Sequence, residues 1–208
     1  MKKLALLGSS GHGKVVADVA LYCGWDIIEF FDDGWPNIKN NKIWPVVGDS
    51  RMLLAKASNY DGVLVTIGNC SVRWEKHLAL NAVGATLATL IHPAATVSRY
   101  ANIAEGSVVM AGAVINIDVN IGPSSIINTG ATVDHDCWLE EGVHIAPGAH
   151  LSGNVNVGSL SWIGVGSCIK QGVVVGKGVM VGAGAVVVSP VSDLATIIGN
   201  PAKPMISK

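Results

Sequence analysis

The chain has 208 residues, of which 50% are hydrophobic and 14% charged, with a formal net charge of −1. That length suits two small domains, and the near-neutral balance with no Lys/Arg stripe argues against nucleic acid as a partner. So little charge points to apolar flanks buried in an oligomer. The four cysteines, Cys23, Cys70, Cys137 and Cys168, show no C-x-x-C spacing, which fits a reduced, cytoplasmic setting. The apolar run in the opening MKKLALLGSSG is too short for a signal sequence and reads as a strand ending in a turn. No membrane span is expected, because the uncharged stretch from Ile145 to Ile169 is full of Gly, Asn and Ser.

In chain order, Lys3 to Leu7 is a buried strand, GSSGHGK from Gly8 to Lys14 a Gly-rich turn, and Val15 to Cys23 a helix. Strand, glycine turn and helix together present backbone N–H groups and a helix N-terminus to phosphate. The G-x-x-G-x-G spacing differs from the dinucleotide G-x-G-x-x-G, which weakens a NAD reading. Ile27 to Phe31 is a second strand ending in Asp32 and Asp33, acids suited to the hydroxyl or N–H donors of a nucleoside. The plainer alternative is that the glycines only make a tight turn and the acids only cap a loop. Gly34 to Asn41 is loop, and Ser50 caps a helix over Arg51 to Ala57. Gly62 to Ile67 is a third strand followed by Gly68, Val72 to Val83 a helix, and Ala85 to Leu90 a last strand. These elements make a small β-α-β-α-β-α unit with a parallel sheet.

From Ile91 the pattern changes. Every sixth residue through Val187 is Val, Ile or Leu, seventeen in a row. If a third of residues were of these types, chance would give that run on the order of once in a hundred million. Three places after each anchor the residue is mostly Gly, with Asp118, Asp136 and Asn154 among the exceptions. Gly, Asn and Asp enter the left-handed backbone region most cheaply. Four places after each anchor the residue is small or slim. Each hexad is therefore a short strand and a sharp corner, and three hexads close a triangle. Coils stacked at strand spacing give a prism roughly 25 to 30 Å tall, the hexapeptide parallel β-helix. Pro190 falls in the corner column, where its fixed φ excludes the left-handed turn, so the prism should end there.

Few residues on this prism carry chemistry. His135 lies two places after the anchor Val133 and should face outward, with Gly153 one coil above leaving space over the ring. An imidazole so placed can take a proton near neutral pH; the alternative is a solvated surface histidine. Asp136 is a candidate partner for the ring, although it also fills a corner slot, and Asp134 is a further acid nearby. His144 is expected to pack beneath Trp162. Pro147, Val165 and Ala183 stack one coil apart as a smooth groove that a long thin ligand such as a pantetheine arm could occupy. His77, His92 and His150 are less promising, and no three histidines show metal-ligand spacing.

GSSGHGK at Gly8, FFDD ending at Asp33, IGN at Ile67 with Arg73 beyond, NTGATVDHD at Asn128 and IGNPAKP at Ile198 together resemble bacterial nucleotide-sugar and sialic-acid acetyltransferases of the PglD/NeuD type, across nearly the whole chain. The resemblance implies a Rossmann-like nucleotide-sugar-binding domain over residues 1–90 and a left-handed β-helix over 91–208. It implies a homotrimer with active sites between neighbouring prisms, acetyl-CoA as co-substrate and no metal. His135 would be the general base and Asp136 its partner; the bacillosamine enzyme of that family has Glu in that place, longer by one methylene. His144, Val165 and Ala183 would meet acetyl-CoA. Gly8, Ser10, Gly11, His12, Gly13, Asp32, Asp33 and Gly68 would hold the nucleotide end of the acceptor. The implied reaction is N-acetylation of a nucleotide-linked amino sugar, first a UDP-4-amino-4,6-dideoxy sugar, with GDP-perosamine or O-acetylation of a sialic acid as alternatives. A zinc hydratase and a non-catalytic sugar-nucleotide sensor are the readings from other classes.

Overall fold

A computed structural model describes residues 1–205, so the last three residues of the expected second domain lie outside the described residues. The chain forms two compact units, Met1–His92 and a second beginning at Pro93.

The first unit is a five-stranded sheet built from β1 (Lys3–Leu7), β2 (Ile27–Phe31), β3 (Asn40–Asn41), β4 (Trp44–Gly48) and β5 (Gly62–Val65), with helices α1 (Gly11–Tyr22), α2 (Ser50–Lys56) and α3 (Cys70–Ala82). The spatial order is β3-β4-β2-β1-β5, parallel except for the edge strand β3. Leu4, Ala5, Leu6, Phe30, Val63 and Leu64 are almost wholly buried, as expected of strands covered on both faces. The chain runs outward from β1 to β2 and β4, then returns to the other side of β1 as β5. The loops after β1 and β5 therefore diverge and leave a crevice at the carboxyl edge of the sheet.

Four local expectations are corrected. Helix α1 begins at Gly11 rather than Val15, because the glycine stretch itself supplies the first turn, with the Lys14 N–H donating to the Ser10 carbonyl at 3.1 Å. The segment expected as loop up to Asn41 runs into a hairpin, β3 to β4, turned by Lys42 at φ 58°. Asp49, not Ser50, caps α2, accepting the Met52 N–H at 2.7 Å. The expected strand from Ala85 to Leu90 is reduced to a single bridge from Leu87 to Val63 and a short strand at Leu90–Ile91.

The second unit is the β-helix. Two-residue strands stack in parallel at intervals of eighteen, as in Val114, Thr132, His150, Cys168 and Val186. Two further faces repeat the pattern, one through Asn102, Asn120, Trp138, Asn156 and Val174 and one through Val108, Ile126, His144, Trp162 and Met180. Anchors from Val109 to Val187 are buried in one continuous core with the slim Ala113, Ala131, Ala149 and Ala185. Ile91, the first of the seventeen, is instead 39% exposed and belongs to the first unit.

Every corner from Gly106 to Gly184 has positive φ. Ser124 and Leu160 adopt it too, at 58° and 61°, against a steric cost of roughly 1–2 kcal/mol for an L-residue. Rung bonds hold them there, Ser124 N–H to Glu105 O at 3.0 Å and Leu160 N–H to Glu141 O at 2.9 Å. The prism does not end at Pro190. Val191 bridges to Val175, and Thr196 and Ile197 pair with Met180 and Val181, sixteen residues away instead of eighteen. The coil absorbs the proline by shortening that side by two residues and taking its next left-handed corner at Leu194, φ 60°.

Tight stacking predicts where a methyl group is not tolerated. A Cβ on Gly158 would lie 2.6 Å from backbone atoms of Gly176 and Lys177, whereas one on Gly148 meets nothing within 4 Å. Gly158→Ala is expected to destabilise by about 1–3 kcal/mol through overpacking, and Gly148→Ala by the smaller cost of its left-handed φ, about 1 kcal/mol, compared by denaturant midpoints.

Candidate active site

His135 immediately precedes a left-handed corner, Asp136 at φ 60°. With Val133 committed to the core, its imidazole projects outward and is 48% exposed. Asp136 is directed by the same corner back onto the ring, its Oδ2 lying 2.7 Å from Nδ1. The shorter acid therefore reaches. With the carboxylate ionised, Nδ1 carries the proton and donates it, which leaves the lone pair on Nε2. Among the described residues Nε2 has no hydrogen-bond partner. The Asp136 hydrogen bond, opposed by slight desolvation and aided by the charges of Asp134 and Asp136, holds the imidazole above its ordinary pKa.

Gly153 is fitted to this ring. A Cβ there would run into the imidazole, first at Cε1 and then at Nε2 at 2.6 Å. Gly153 is absent from the positive-φ positions, so the ring and not the backbone requires a glycine. The His135 main chain is held as well: its N–H donates to Asp134 Oδ1 at 2.9 Å and its carbonyl accepts the Asn154 N–H at 2.8 Å.

His144 is buried under Trp162, ring centroids 4.0 Å apart. Asn128 fixes its other side, with Nδ2 3.1 Å from Nε2, while Asn128 Oδ1 accepts the Thr129 N–H at 2.8 Å. The amide is thereby oriented as a donor to the ring, so Nε2 of His144 is the acceptor. Val165, 52% exposed, stacks between Pro147 and Ala183, both exposed, through ladder bonds from Gly166 to Pro147 at 3.0 Å and Gly184 to Val165 at 2.8 Å. The column is uncharged and slim. The hydrogen bonds of His135 run to Asp134, Asp136 and the Asn154 N–H, and among the described residues none joins it to His144.

In the first unit, Gly8, Ser10, Asp32, Asp33 and Gly68 come together around a cavity of about 220 Å³ closed by Leu7 and Ile67. It sits where the loops after β1 and β5 diverge. Gly8, at φ 114°, has no room for a Cβ beside Ile67, and Gly13 lies against the Gly8 carbonyl. Gly11 and Gly68 border open space, with nothing within 4 Å. The Ser10 side chain makes no capping bond to α1.

Asp32 and Asp33 are more committed than the sequence suggests. Asp32 Oδ2 accepts the N–H and hydroxyl of Ser9 at 2.7 and 2.8 Å, and Oδ1 accepts the Gly34 N–H at 2.9 Å. Burial pushes this carboxyl up, but those bonds outweigh it and hold it below the usual carboxylate range. Asp33 is held low by the Ser50 hydroxyl and N–H and by Lys76, 3.2 Å away. His12 is driven down to about 4, by burial first and by the nearby Arg73 charge second, so its ring is neutral at ordinary pH. Arg73, 1% exposed, donates Nη1 to the carbonyls of Ile67 and Gly68 at 3.0 and 2.8 Å and shapes the loop that lines the cavity. Ser9, inside GSSGHGK but not singled out there, and Asn41, whose amide donates to the Ser9 and Ser10 carbonyls at 2.9 and 3.1 Å, escape sequence reasoning because no spacing relates either to Asp32 or to the glycine turn.

Residues 3–79 match the PglD N-terminal domain family. The chain is similar to the acetyltransferase domain of PglB from Neisseria gonorrhoeae FA1090, solved with acetyl coenzyme A, with TM-score 0.94 and 45% identity over 98% of this chain and 99% of that one. The chain belongs to the PglD-type sugar acetyltransferases. A histidine-to-asparagine variant of perosamine N-acetyltransferase from Caulobacter crescentus, solved with CoA and GDP-perosamine, matches with TM-score 0.95 and 36% identity over 100% and 98% of the two chains. UDP-N-acetylbacillosamine N-acetyltransferase of Bacillus subtilis (strain 168) is 35% identical over 117 residues, which is 53% of this chain. The chain spans about half, 52%, of that relative's length. Among the described residues no cluster of three or more His, Cys, Asp or Glu is placed to hold a metal, and no helix is long and apolar enough to cross a membrane.

The fit of Gly153 to the ring gives a direct check. Gly153→Ala should displace the imidazole from Asp136 and lower the His135 pKa towards its ordinary value, with the melting temperature changed by only a few degrees; an NMR titration of the histidines measures the first and calorimetry the second.

Proposed function

We propose that the protein transfers the acetyl group of acetyl-CoA to the amino group of a nucleotide-linked amino sugar, with His135 as general base. The observation that carries this reading is the outward Nε2 of His135, made basic by Asp136 and left without a partner among the described residues, on a prism that resembles CoA-binding relatives. Nε2 takes a proton from the sugar amine as its nitrogen attacks the thioester carbonyl. A backbone N–H stabilises the oxyanion, the C–S bond breaks, and the imidazolium returns its proton to the departing CoA thiolate. Holding both substrates together supplies proximity, so no covalent enzyme intermediate is needed. Cys137 is buried in the core, where desolvation pushes its thiol pKa up, and it is no candidate nucleophile.

His144 and the Val165–Ala183 column are assigned to the pantetheine arm, the uncharged flank suiting a chain that bonds mainly to backbone. The cavity at Gly8, Ser10, Asp32, Asp33 and Gly68 is assigned to the nucleotide, with the pyrophosphate at Gly11 to Gly13 on the α1 N-terminus and a neutral His12 as a donor. The first choice of acceptor is UDP-4-amino-4,6-dideoxy-N-acetylglucosamine, giving UDP-N,N'-diacetylbacillosamine, in line with the bacillosamine relative. GDP-perosamine is the second reading, favoured by the perosamine relative, which matches over the entire chain. A panel of UDP- and GDP-amino sugars with acetyl-CoA, followed by free thiol release, decides between them. His135→Ala should lower kcat by roughly 10²–10⁴ with the best acceptor; full activity in that variant would remove the base assignment.

We also propose a cytoplasmic homotrimer in which His135 of one subunit serves the groove of its neighbour. None of the four cysteines is in a disulfide, and Trp138, Val165 and Val174 leave apolar surface half exposed on a single chain. His135→Ala and Val165→Glu chains, each inactive alone, should recover a measurable fraction of activity when refolded together. Recovery of none would assign both residues to one subunit's own site.

A further inference from the structure

The corner that carries His135 is braced from outside the dyad. Asp134 Oδ1 accepts the His135 N–H at 2.9 Å and also the side-chain amide of Asn116 at 2.7 Å. Asn116 stands eighteen residues before Asp134, one rung below, with its own N–H donating to the Val133 carbonyl at 3.0 Å. One carboxylate oxygen therefore ties two successive coils to the peptide that leads into the corner. The hydrogen bond from the His135 N–H, and after it that from Asn116, holds the Asp134 carboxyl below its usual range. It is ionised wherever the base is to act.

We propose that Asn116 and Asp134 form a positioning clamp for His135, in which Asn116 braces the carboxylate, the carboxylate fixes the backbone of the base, and its charge lies beside the imidazole. The inference rests on His135 being the base. Neither clamp residue touches the reacting atoms; both act through His135.

The groups around the ring make the effect separable. Asp136 contacts Nδ1. Asp118 stands one rung below Asp136 in the same corner column, also at φ 60°. The rung above contributes Gly153 and Asn154, neither charged. Cys137 turns into the core, and Lys170 stands two rungs above Asp134 in the ladder. Asp134 is thus one of two anions next to the imidazole, and the one that can be neutralised without cutting the Nδ1 bond.

Asp134→Asn keeps an oxygen acceptor and removes the charge. Asn116→Ala keeps the charge and removes the brace. The imidazole titration of His135 is followed by NMR in both variants and the parent, assigned by its loss in His135→Ala, alongside pH profiles of kcat and KM. Removing an anion lowers the imidazole pKa, so Asp134→Asn should shift the titration and the acid limb of kcat to lower pH by a few tenths of a unit, the scale of one nearby charge in a water-like dielectric. Asn116→Ala should lower kcat several-fold with KM unchanged and leave the titration close to the parent's. Parent-like titration and kinetics in both variants would overturn the clamp, as would losses that only follow a fall in melting temperature. If the parent transfers no acetyl group while Asp134→Asn still moves the titration, the clamp holds and the acetyltransferase reading fails.

Discussion

The left-handed corner at every sixth residue is the constraint on which the rest of the structure depends. Because each coil before Pro190 closes in eighteen residues, a side chain there stands directly over the one eighteen places earlier, and chemistry on the surface is arranged by register rather than by loops. Gly153 over His135, Trp162 over His144 and Asp134 over Asn116 are three uses of one interval. A one-residue insertion between any of these pairs would carry a core anchor to the surface and part the pair together, so stability and site geometry are secured by the same spacing. Rigid elements hold a functional side chain more closely than loops do, and here even the turn bearing His135 is locked on both sides by rung hydrogen bonds.

Periodicity made the prism legible from sequence alone, and with it the outward direction of His135 and the gap supplied by Gly153. The signal is local and repeats, so each hexad corroborates the next. Where the repeat is interrupted, sequence reasoning fails for a physical reason. Pro190 forbids a left-handed corner, yet the coil shortens by two residues and goes on to pair Thr196 with Met180; parallel pairing needs only continuing backbone, not a perfect hexad. Leu160 shows the converse, a residue type that argues against a corner held in one by its neighbours. In the first unit β1, β2, β5 and the three helices were legible from their apolar runs, but the β3–β4 hairpin and the duties of Asp32 and Asp33 were not. Their partners, Ser9, Gly34, Ser50 and Lys76, come from four different segments, and no spacing rule relates them.

Two histidines show how environment separates roles. His135 is open to solvent and flanked by carboxylates, which hold its pKa up and leave a basic Nε2. Burial, and after it the charge of the Arg73 guanidinium, takes His12 down to about 4. The first can accept a proton and lend it back within a turnover. The second stays neutral and can only donate or accept a hydrogen bond, the behaviour suited to orienting an anionic group without adding a titration of its own.

The exposure of the dyad carries a further consequence. An imidazole with half its surface in water gains little from the charges placed around it, because water screens them and competes for Nε2. Preorganised hydrogen bonds and charges are worth most where water is excluded. A single prism has convex edges and flat faces, and its corner cannot wrap a substrate; exclusion has to come from something laid against it. Under the proposed assembly the cover is a neighbouring prism together with the bound pantetheine arm, so the pKa of His135 would be set in two stages. The corner fixes the tautomer and an elevated value in the free chain, and closure of the site strengthens the pull of Asp136 and Asp134 while desolvation opposes it. On that view the shorter acid at Asp136 is no handicap: a carboxylate held on a backbone corner 2.7 Å from Nδ1 loses less freedom on closure than a longer side chain would, and the order it needs is already built into the fold.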